Sequence, residues 1–573
     1  MSSTVTLAHY LFTRLRQLGI ESVHGVPGDY NLVSLDHLKP AGLNWVGDAN
    51  ELNAGYAADG YAQMKGIGAL MTTFGVGELS ALNAIAGSYA EYVPVVHIVG
   101  SPSTTAQHER MLLHHTLGDG DYKVFANIYK QVTVAQANLH NTETATSEID
   151  RVLRTAWLKS RPVYIELPSD MVTKEVPAES LNQPLDITFP ENNQAVEIAV
   201  AENILSRLYS AKRPVLLVDG CVIRHHLKAE ATEFVLKTSL PIFTTPMGKG
   251  TIDECLPNFG GLYAGSGSYD NVRELVESSD MVLSLGLMKS DINTMRFSYN
   301  LPAHNAVDLS MEFLTIEGQR CDIHMYGLLK RLTNLLDTSK LVRPAQELVY
   351  DVHRTASANL PPAASYPDTT ITHAYLWQQL SKWLQPNDML CTEIGSSYLG
   401  VWDTQFPANV FAISQTLWGS IGYTLPAAQG VALAARELGR PGRVILFEGD
   451  GSLQLTAQAI GTMLKLNLDI IIFLVNNDGY TVERWVHGME ESYNDIPAWR
   501  YSLLPETMGA RLGKGGNART MQVRTRGEIE ALWTTEEFNK VKGMQFVEVF
   551  MPKLDAPVPL KMFCTSAEKN NAE

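Results

Sequence analysis

The chain has 573 residues, 45% of them hydrophobic and 18% charged, and a formal net charge of -16. That length exceeds what one hydrophobic core serves and implies three or four domains, while the composition excludes the disordered and fibrous classes. The acidic balance without a Lys/Arg cluster excludes a nucleic-acid surface, which needs a basic stripe, but leaves room for anionic substrates neutralised by backbone dipoles or a metal.

In chain order, Met1-Ser-Ser-Thr-Val-Thr-Leu shows no basic region followed by an apolar block. No apolar run reaches the roughly 18 residues of a membrane span, so a cytosolic protein is expected. Thr6 is placed to cap a helix starting at Leu7. Apolar runs at Ser22–Val26, Asn44–Gly47, Gly68–Thr73, Val93–Val99 and Val163–Leu167 then alternate with helical patterns. This predicts a doubly wound parallel sheet over residues 1–185. Past a polar stretch with Pro184, Pro190 and Asn192-Asn193, a second α/β series with strands Val215–Val218 and Met281–Leu285 predicts a central domain over 195–338. Residues 339–370, with Arg343-Pro, Leu360-Pro-Pro and Tyr366-Pro, read as a linker. A third domain over 371–558 is predicted from strands Met389–Thr392, Val410–Ile413, Val444–Phe447 and Ile470–Val475 around a helical stretch Ser420–Arg436. The expected fold class is therefore α/β, with three doubly wound parallel-sheet domains. The cysteines, Cys221, Cys255, Cys321, Cys391 and Cys564, lack CxxC spacing, so neither zinc nor a disulfide framework is indicated and a reducing compartment fits.

The sharpest chemical signal is Glu448-Gly449-Asp450-Gly451-Ser452 after one apolar strand and Asn476-Asn477-Asp478-Gly479-Tyr480 after the next. Each alone is more often a turn. Paired at the carboxyl ends of neighbouring parallel strands, they stand where ligands bind, with glycines that let backbone amides approach a diphosphate. Asp450 and Asn477, with a carbonyl at Gly479, offer hard oxygen ligands suited to Mg²⁺.

That pair resembles the thiamine diphosphate motif, which begins Gly-Asp-Gly and ends in Asn-Asn. The resemblance extends along almost the whole chain to the thiamine diphosphate-dependent 2-oxo acid decarboxylases. It runs through Val26-Pro-Gly-Asp-Tyr, Thr73-Phe-Gly-Val-Gly-Glu-Leu, Leu113-His-His-Thr, Leu417-Trp-Gly-Ser-Ile-Gly, Gly479-Tyr-Thr-Val-Glu and Leu554-Asp-Ala-Pro, and is strongest to the fungal pyruvate decarboxylase family. It implies three domains of the thiamine diphosphate-binding type, the first for the pyrimidine ring and the third for the diphosphate. It also implies a homodimer with shared active sites, further paired into a homotetramer. Mg²⁺ would be held by Asp450, Asn477 and Gly479, and the cofactor by Glu51, Ser396, Gly419, Ile421, Gly451 and Ser452 as well. By the same resemblance Glu51 activates the pyrimidine, a task for a fixed carboxylate, while Asp29, His114, His115 and Glu483 hold substrate and move protons. The thiazolium serves as the electron sink for the carbanion and enamine left when CO₂ departs. The reaction implied is fermentative conversion of pyruvate to acetaldehyde and CO₂.

Taken without the family, these residues read more plainly. Asp29 is a turn or cap residue, Glu51 a favourable acid in a first helical turn and Glu483 a solvated acid. Ile421 is a core residue by default, and on a regular helix His114 and His115 would diverge by about 100°. They could converge only on a bend, which Gly118-Asp-Gly suggests.

Three positions depart from the family pattern. Ile394 replaces a threonine, and Tyr398 and Val482 also differ, the last by one methylene in a pocket wall, worth about 1 kcal/mol of discrimination. Cys221 matches a cysteine tied to substrate activation, yet position 92 is Tyr92 where activating relatives have histidine. The alternatives weighed are a phenylpyruvate or indolepyruvate type of decarboxylase, a carboligase, a dehydrogenase read from Gly75-Val-Gly and Gly265-Ser-Gly, and a catalytically silent scaffold. Neither glycine pair completes the dinucleotide fingerprint.

Overall fold

The computed structural model describes residues 4–342, 366–513 and 515–572, so most of the expected linker, residues 343–365, lies outside the described residues. The described strands form three open sheets and a two-stranded antiparallel ribbon of Thr4–Thr6 with Glu175–Pro177. Across the first sheet run Asn44–Gly47, Ser22–Gly25, Gly68–Thr73, Val95–Ser101, Val163–Pro168 and Ala135–Asn138, all parallel. The third sheet runs Phe411–Ile413, Met389–Thr392, Val444–Gly449, Ile470–Asn476, Met544–Phe550 and Ala518–Val523, again all parallel. Counted within its own domain, each sheet has the order 2-1-3-4-6-5. Their inner strands are buried along almost their whole length and are mostly apolar, as sheets covered on both faces require.

The central sheet departs from the expected all-parallel form. Five parallel strands in the order 3-2-1-4-5 are extended by Leu314–Ile316 and Gln319–Cys321, which pair antiparallel. A tight connection at Glu317-Gly318, both at positive φ, makes this hairpin possible.

Sequence patterning locates one edge of the first and third sheets, Asn44–Gly47 and Phe411–Ile413, and misses the other. Ala135–Asn138 and Ala518–Val523 are half-exposed edge strands, for which no apolar run is needed. Met544–Phe550 is an inner strand disguised by polar residues; its Glu548 is buried but accepts from Asn476 and Gln522. The strand expected from Val93 begins at Val95, since Pro94 has no N–H to enter the ladder. The helix expected from Ser420 begins at Thr424, since Gly419 and Gly422, at φ 62° and 85°, hold the preceding residues in a turn. Thr6 caps its helix as expected, accepting from the His9 N–H.

The first and third domains meet through two helices, Glu51–Lys65 and Thr424–Leu438, whose facing surfaces are almost all alanine and glycine. A Cβ added to Gly60 would lie 2.0 Å from the Ala427 carbonyl oxygen, and one on Gly430 1.9 Å from that of Ala57. Glycine is thus required at both positions for this approach. Asp59, buried in the same seam, accepts from Ser88, Gln63 and Tyr423 across the two domains.

Candidate active site

The carboxyl ends of four strands in the third domain open into a cleft lined by residues 393–397, Ile421, residues 449–452, Asn477 and residues 479–483. Asp450 starts a helix and is buried; its Oδ1 accepts the Gly451 N–H at 2.8 Å and its Oδ2 the Gly479 N–H at 3.2 Å. Burial pushes this carboxyl up to about 6, against the pull of those backbone donors. The buried Asn477 amide oxygen faces Asp450 Oδ1 at 3.1 Å and the Gly479 carbonyl oxygen at 3.2 Å. Three oxygens turned toward one another repel unless the amide turns its NH₂ inward or a cation sits among them. Octahedral Mg²⁺, with bonds of about 2.0–2.1 Å, sets neighbouring ligand oxygens about 3 Å apart, so the donor set fits this metal. Gly479 has φ 119° and a Cβ there would meet the Asn494 carbonyl oxygen at 2.5 Å, while a Cβ on Gly451 would meet the Tyr480 ring at 2.6 Å. Both glycines are therefore dictated by close approach.

Beneath the cleft lies a pair of buried acids. Glu393 accepts from the N–H groups of Gly422 and Thr424 at 3.0 and 2.8 Å, tying the first strand's end to the turn that presents Ile421. Burial pushes Glu393 up to about 7 and, with the neighbouring Glu393 charge, drives Glu448 well above the carboxylate range. One proton held between the two relieves the like-charge repulsion. On the rim, Glu483 is exposed in the first turn of the helix Thr481–Val486. Ser396, Ile421, Gly451, Ser452, Ile394 and Val482 all line the cleft. Gly419 does not, but a Cβ there would lie 3.8 Å from Ile394. Tyr398 points away from the cleft: it is buried against Trp402 and accepts a hydrogen bond from Thr416 at 3.1 Å, so it does not shape the cleft wall.

The first domain holds the remaining expected residues at the equivalent sheet edge. His114 Nε2 lies 2.5 Å from Asp29 Oδ2 and His115 Nε2 4.0 Å from Asp29 Oδ1. The two imidazoles, with centroids 4.6 Å apart at 74°, converge because His115 adopts φ 67°, which no regular helix allows. Its carbonyl oxygen would stand 2.1 Å from a Cβ on Gly75, and Gly28 rests on Thr73, so glycines let three loops crowd together. Tyr30, which sequence reasoning passed over, stacks on His114 at 5.0 Å, and burial beside Asp29 pushes its phenol up to about 12.

Glu51 is the first residue of its helix, but the cap is Asn50, which accepts from Asn53 N–H at 2.8 Å. Burial raises the Glu51 carboxyl above its ordinary value. Its Oε1 would lie 3.0 Å from a Cβ on Gly77, so the Gly75-Val-Gly turn makes room for it. Under that turn, buried Glu78 accepts from Gly75 N–H at 2.8 Å and from Tyr164 at 3.0 Å, and burial pushes it up to about 8.

None of Glu51, Asp29, His114 and His115 lines the third-domain cleft. The expected residues therefore fall into two groups in this chain. Both are edged by exposed apolar side chains: Leu32, Val33, Val76 and Leu79 near the first, and Leu417, Trp418, Ile421 and Leu455 near the second. Cys221 lies in neither; it is buried in the central domain, and burial raises its thiol well above the ordinary range.

Family models match residues 5–123 as a thiamine pyrophosphate enzyme N-terminal TPP binding domain, 201–335 as the central domain and 393–549 as the C-terminal TPP binding domain. The chain is 48% identical over 568 residues to a pyruvate decarboxylase of Aspergillus fumigatus, covering 99% of this chain and 98% of that protein. It is 48% identical over 569 residues to that of Aspergillus terreus, covering 99% and 98%. Its identity to pyruvate decarboxylase isozyme 1 of Saccharomyces cerevisiae is 44% over 559 residues, covering 97% of each.

Proposed function

This chain belongs to the thiamine pyrophosphate enzymes, and within them we propose that it is a carboxy-lyase converting pyruvate to acetaldehyde and CO₂, with thiamine diphosphate (the same compound) and Mg²⁺. The observation that carries this is the trio of convergent oxygens from Asp450, Asn477 and Gly479, with an acid, Glu483, on the rim of the same cleft. When the cofactor is bound, these three residues would hold Mg²⁺, Gly451 and Ser452 would bind the diphosphate, and Ser396, Gly419 and Ile421 would support the rest of it. When bound, the thiazolium ring accepts the electron pair released as CO₂ leaves.

The remaining work falls to the chain's own groups. Glu51, half-buried and raised by burial, would hold a proton at the pyrimidine nitrogen of the bound cofactor. Asp29 orients His114 through their short contact, and the pair, with His115, moves protons to and from the substrate's oxygen. Glu483 faces the substrate carboxylate and later delivers a proton to the carbon that carried it. Ile394 and Val482 contribute an apolar wall to the cleft, and the methylene that Val482 lacks leaves it roomier.

A complete site needs the first domain of one copy over the third domain of another. Such a homodimer covers the two apolar rims, and a homotetramer is its proposed assembly. Among the described residues no helix is long and apolar enough to cross a membrane.

The test is CO₂ release from pyruvate and from phenylpyruvate, with and without thiamine diphosphate and Mg²⁺. Cofactor-dependent release favouring pyruvate by tenfold in kcat/KM, about 1.4 kcal/mol, is expected. Preference for phenylpyruvate would overturn the substrate and implicate Ile394 and Val482. Cofactor-independent release would overturn the mechanism.

A further inference from the structure

Arg484 is among the largest fully buried side chains of the chain, and its side chain is 0% exposed. A guanidinium is always charged, so its burial is costly unless its donors are engaged. Here Nε has no partner, but both terminal nitrogens are engaged, mostly by backbone carbonyls around the proposed metal loop. One arm donates to the Met489 carbonyl at 3.2 Å. The other donates to the carbonyls of Asn494 at 3.1 Å and Asp478 at 3.5 Å and to the Asp495 carboxylate at 2.5 Å.

These acceptors lie on two segments that Arg484 spans from one side. The first is the turn 478–480, where Asp478 and Gly479 have φ 60° and 119° and Gly479 presents the carbonyl assigned to Mg²⁺. The second is the loop 488–495, seated against that turn by the Tyr480 N–H to Asn494 carbonyl bond at 3.1 Å. Asn494 in turn donates to the carbonyls of His487 and Gly488, and Lys553 pairs with Asp495 at 3.0 Å. Left-handed backbone at a non-glycine residue persists only where its surroundings over-determine it. The planar fork of Arg484 does so by gripping both segments at once.

Arg484 also follows Glu483 on a helix of only six residues, Thr481–Val486. Fixing the guanidinium fixes the rotation of that short helix, and with it the direction of the Glu483 carboxyl. We propose that Arg484 is a positioning residue that locks the metal-bearing Gly479 turn and the Glu483 helix into one rigid unit, so that Mg²⁺ retention and proton delivery are set by the same side chain. This rests on the roles given above to Gly479 and Glu483.

The experiment uses the full-length protein stripped of cofactor. It compares the parent with Arg484→Lys, which keeps the charge and loses the fork, and with Asp495→Asn, which keeps Arg484 and removes its partly exposed partner. Thiamine diphosphate at fixed concentration is titrated with Mg²⁺ and binding is followed by tryptophan fluorescence; kcat, KM and the melting temperature of the metal-free protein are measured alongside. Loss of charge-assisted hydrogen bonds predicts an Mg²⁺ half-saturation raised about tenfold or more in Arg484→Lys and less in Asp495→Asn, with kcat falling in the same order and KM for pyruvate little changed. Both variants within twofold of the parent in half-saturation and kcat would overturn the proposal. So would a lowered melting temperature with unchanged half-saturation, the mark of a purely structural arginine. If the parent itself fails to bind thiamine diphosphate with Mg²⁺, the assigned function fails first; if the parent binds and the variants match it, only the role of Arg484 fails.

Discussion

The first and third domains share one strand order, 2-1-3-4-6-5, and both gather their functional side chains beyond the carboxyl ends of the first strands, yet they are equipped for different work. The third-domain cleft converges oxygens and backbone donors, an arrangement that binds a diphosphate and its metal. The first-domain cluster converges a carboxylate, two imidazoles and a half-buried glutamate, an arrangement that moves protons. Each rests on buried acids raised by their surroundings, Glu78 in one and Glu393 with Glu448 in the other. A topology thus fixes where a site forms, and a few loop residues decide what it does.

The largest expected effects separate the two halves. Asp450→Ala removes a proposed metal ligand, and we expect loss of Mg²⁺-dependent cofactor binding together with at least about a thousandfold loss of activity. Calorimetric binding near the parent's strength would break the division. Glu51→Gln is expected to leave binding within a few-fold of the parent while lowering kcat by about 10²- to 10⁴-fold, the usual range for acid–base catalysis.

The buried acid under the first half-site sets a pH effect with a definite sign. Native Glu78 keeps its proton up to about pH 8, whereas the unfolded chain loses it in the ordinary carboxylate range. Its contribution is therefore full below that range and is lost as pH rises toward 8, by up to about 5 kcal/mol over the window. Glu78→Gln should flatten this decline, raising the melting temperature near pH 8 and leaving it unchanged near pH 5. An equal shift at both would mean a packing effect. A smaller loss, about 1–3 kcal/mol by overpacking, is expected from Gly430→Ala, which presses a methyl against the Ala57 carbonyl where the two domains meet. Denaturant unfolding measures it.

Much of this was legible in the sequence, for identifiable reasons. Asp450 and Asn477 announce themselves because each stands right after an apolar run that marks a buried parallel strand. Ala518–Val523 does not, since an edge strand shows water one face. The convergence of His114 and His115 depends on a left-handed φ at a non-glycine residue, which no periodicity reveals. Nothing in the sequence pattern singles out Tyr30 or Arg484; the fold shows one stacked on His114 and the other fully buried. Tyr398, conversely, stands near the cleft in sequence but turns away from it in space.

The central claim is that a working site takes its two halves from different copies of the chain. Co-refolding Glu51→Gln with Asp450→Ala, each inactive alone, tests it directly. If sites form between copies, half the dimers are mixed and each has one intact site, restoring about a quarter of the parent activity. If both halves come from one chain, the mixture stays as inactive as its parts, and that result would contradict the account.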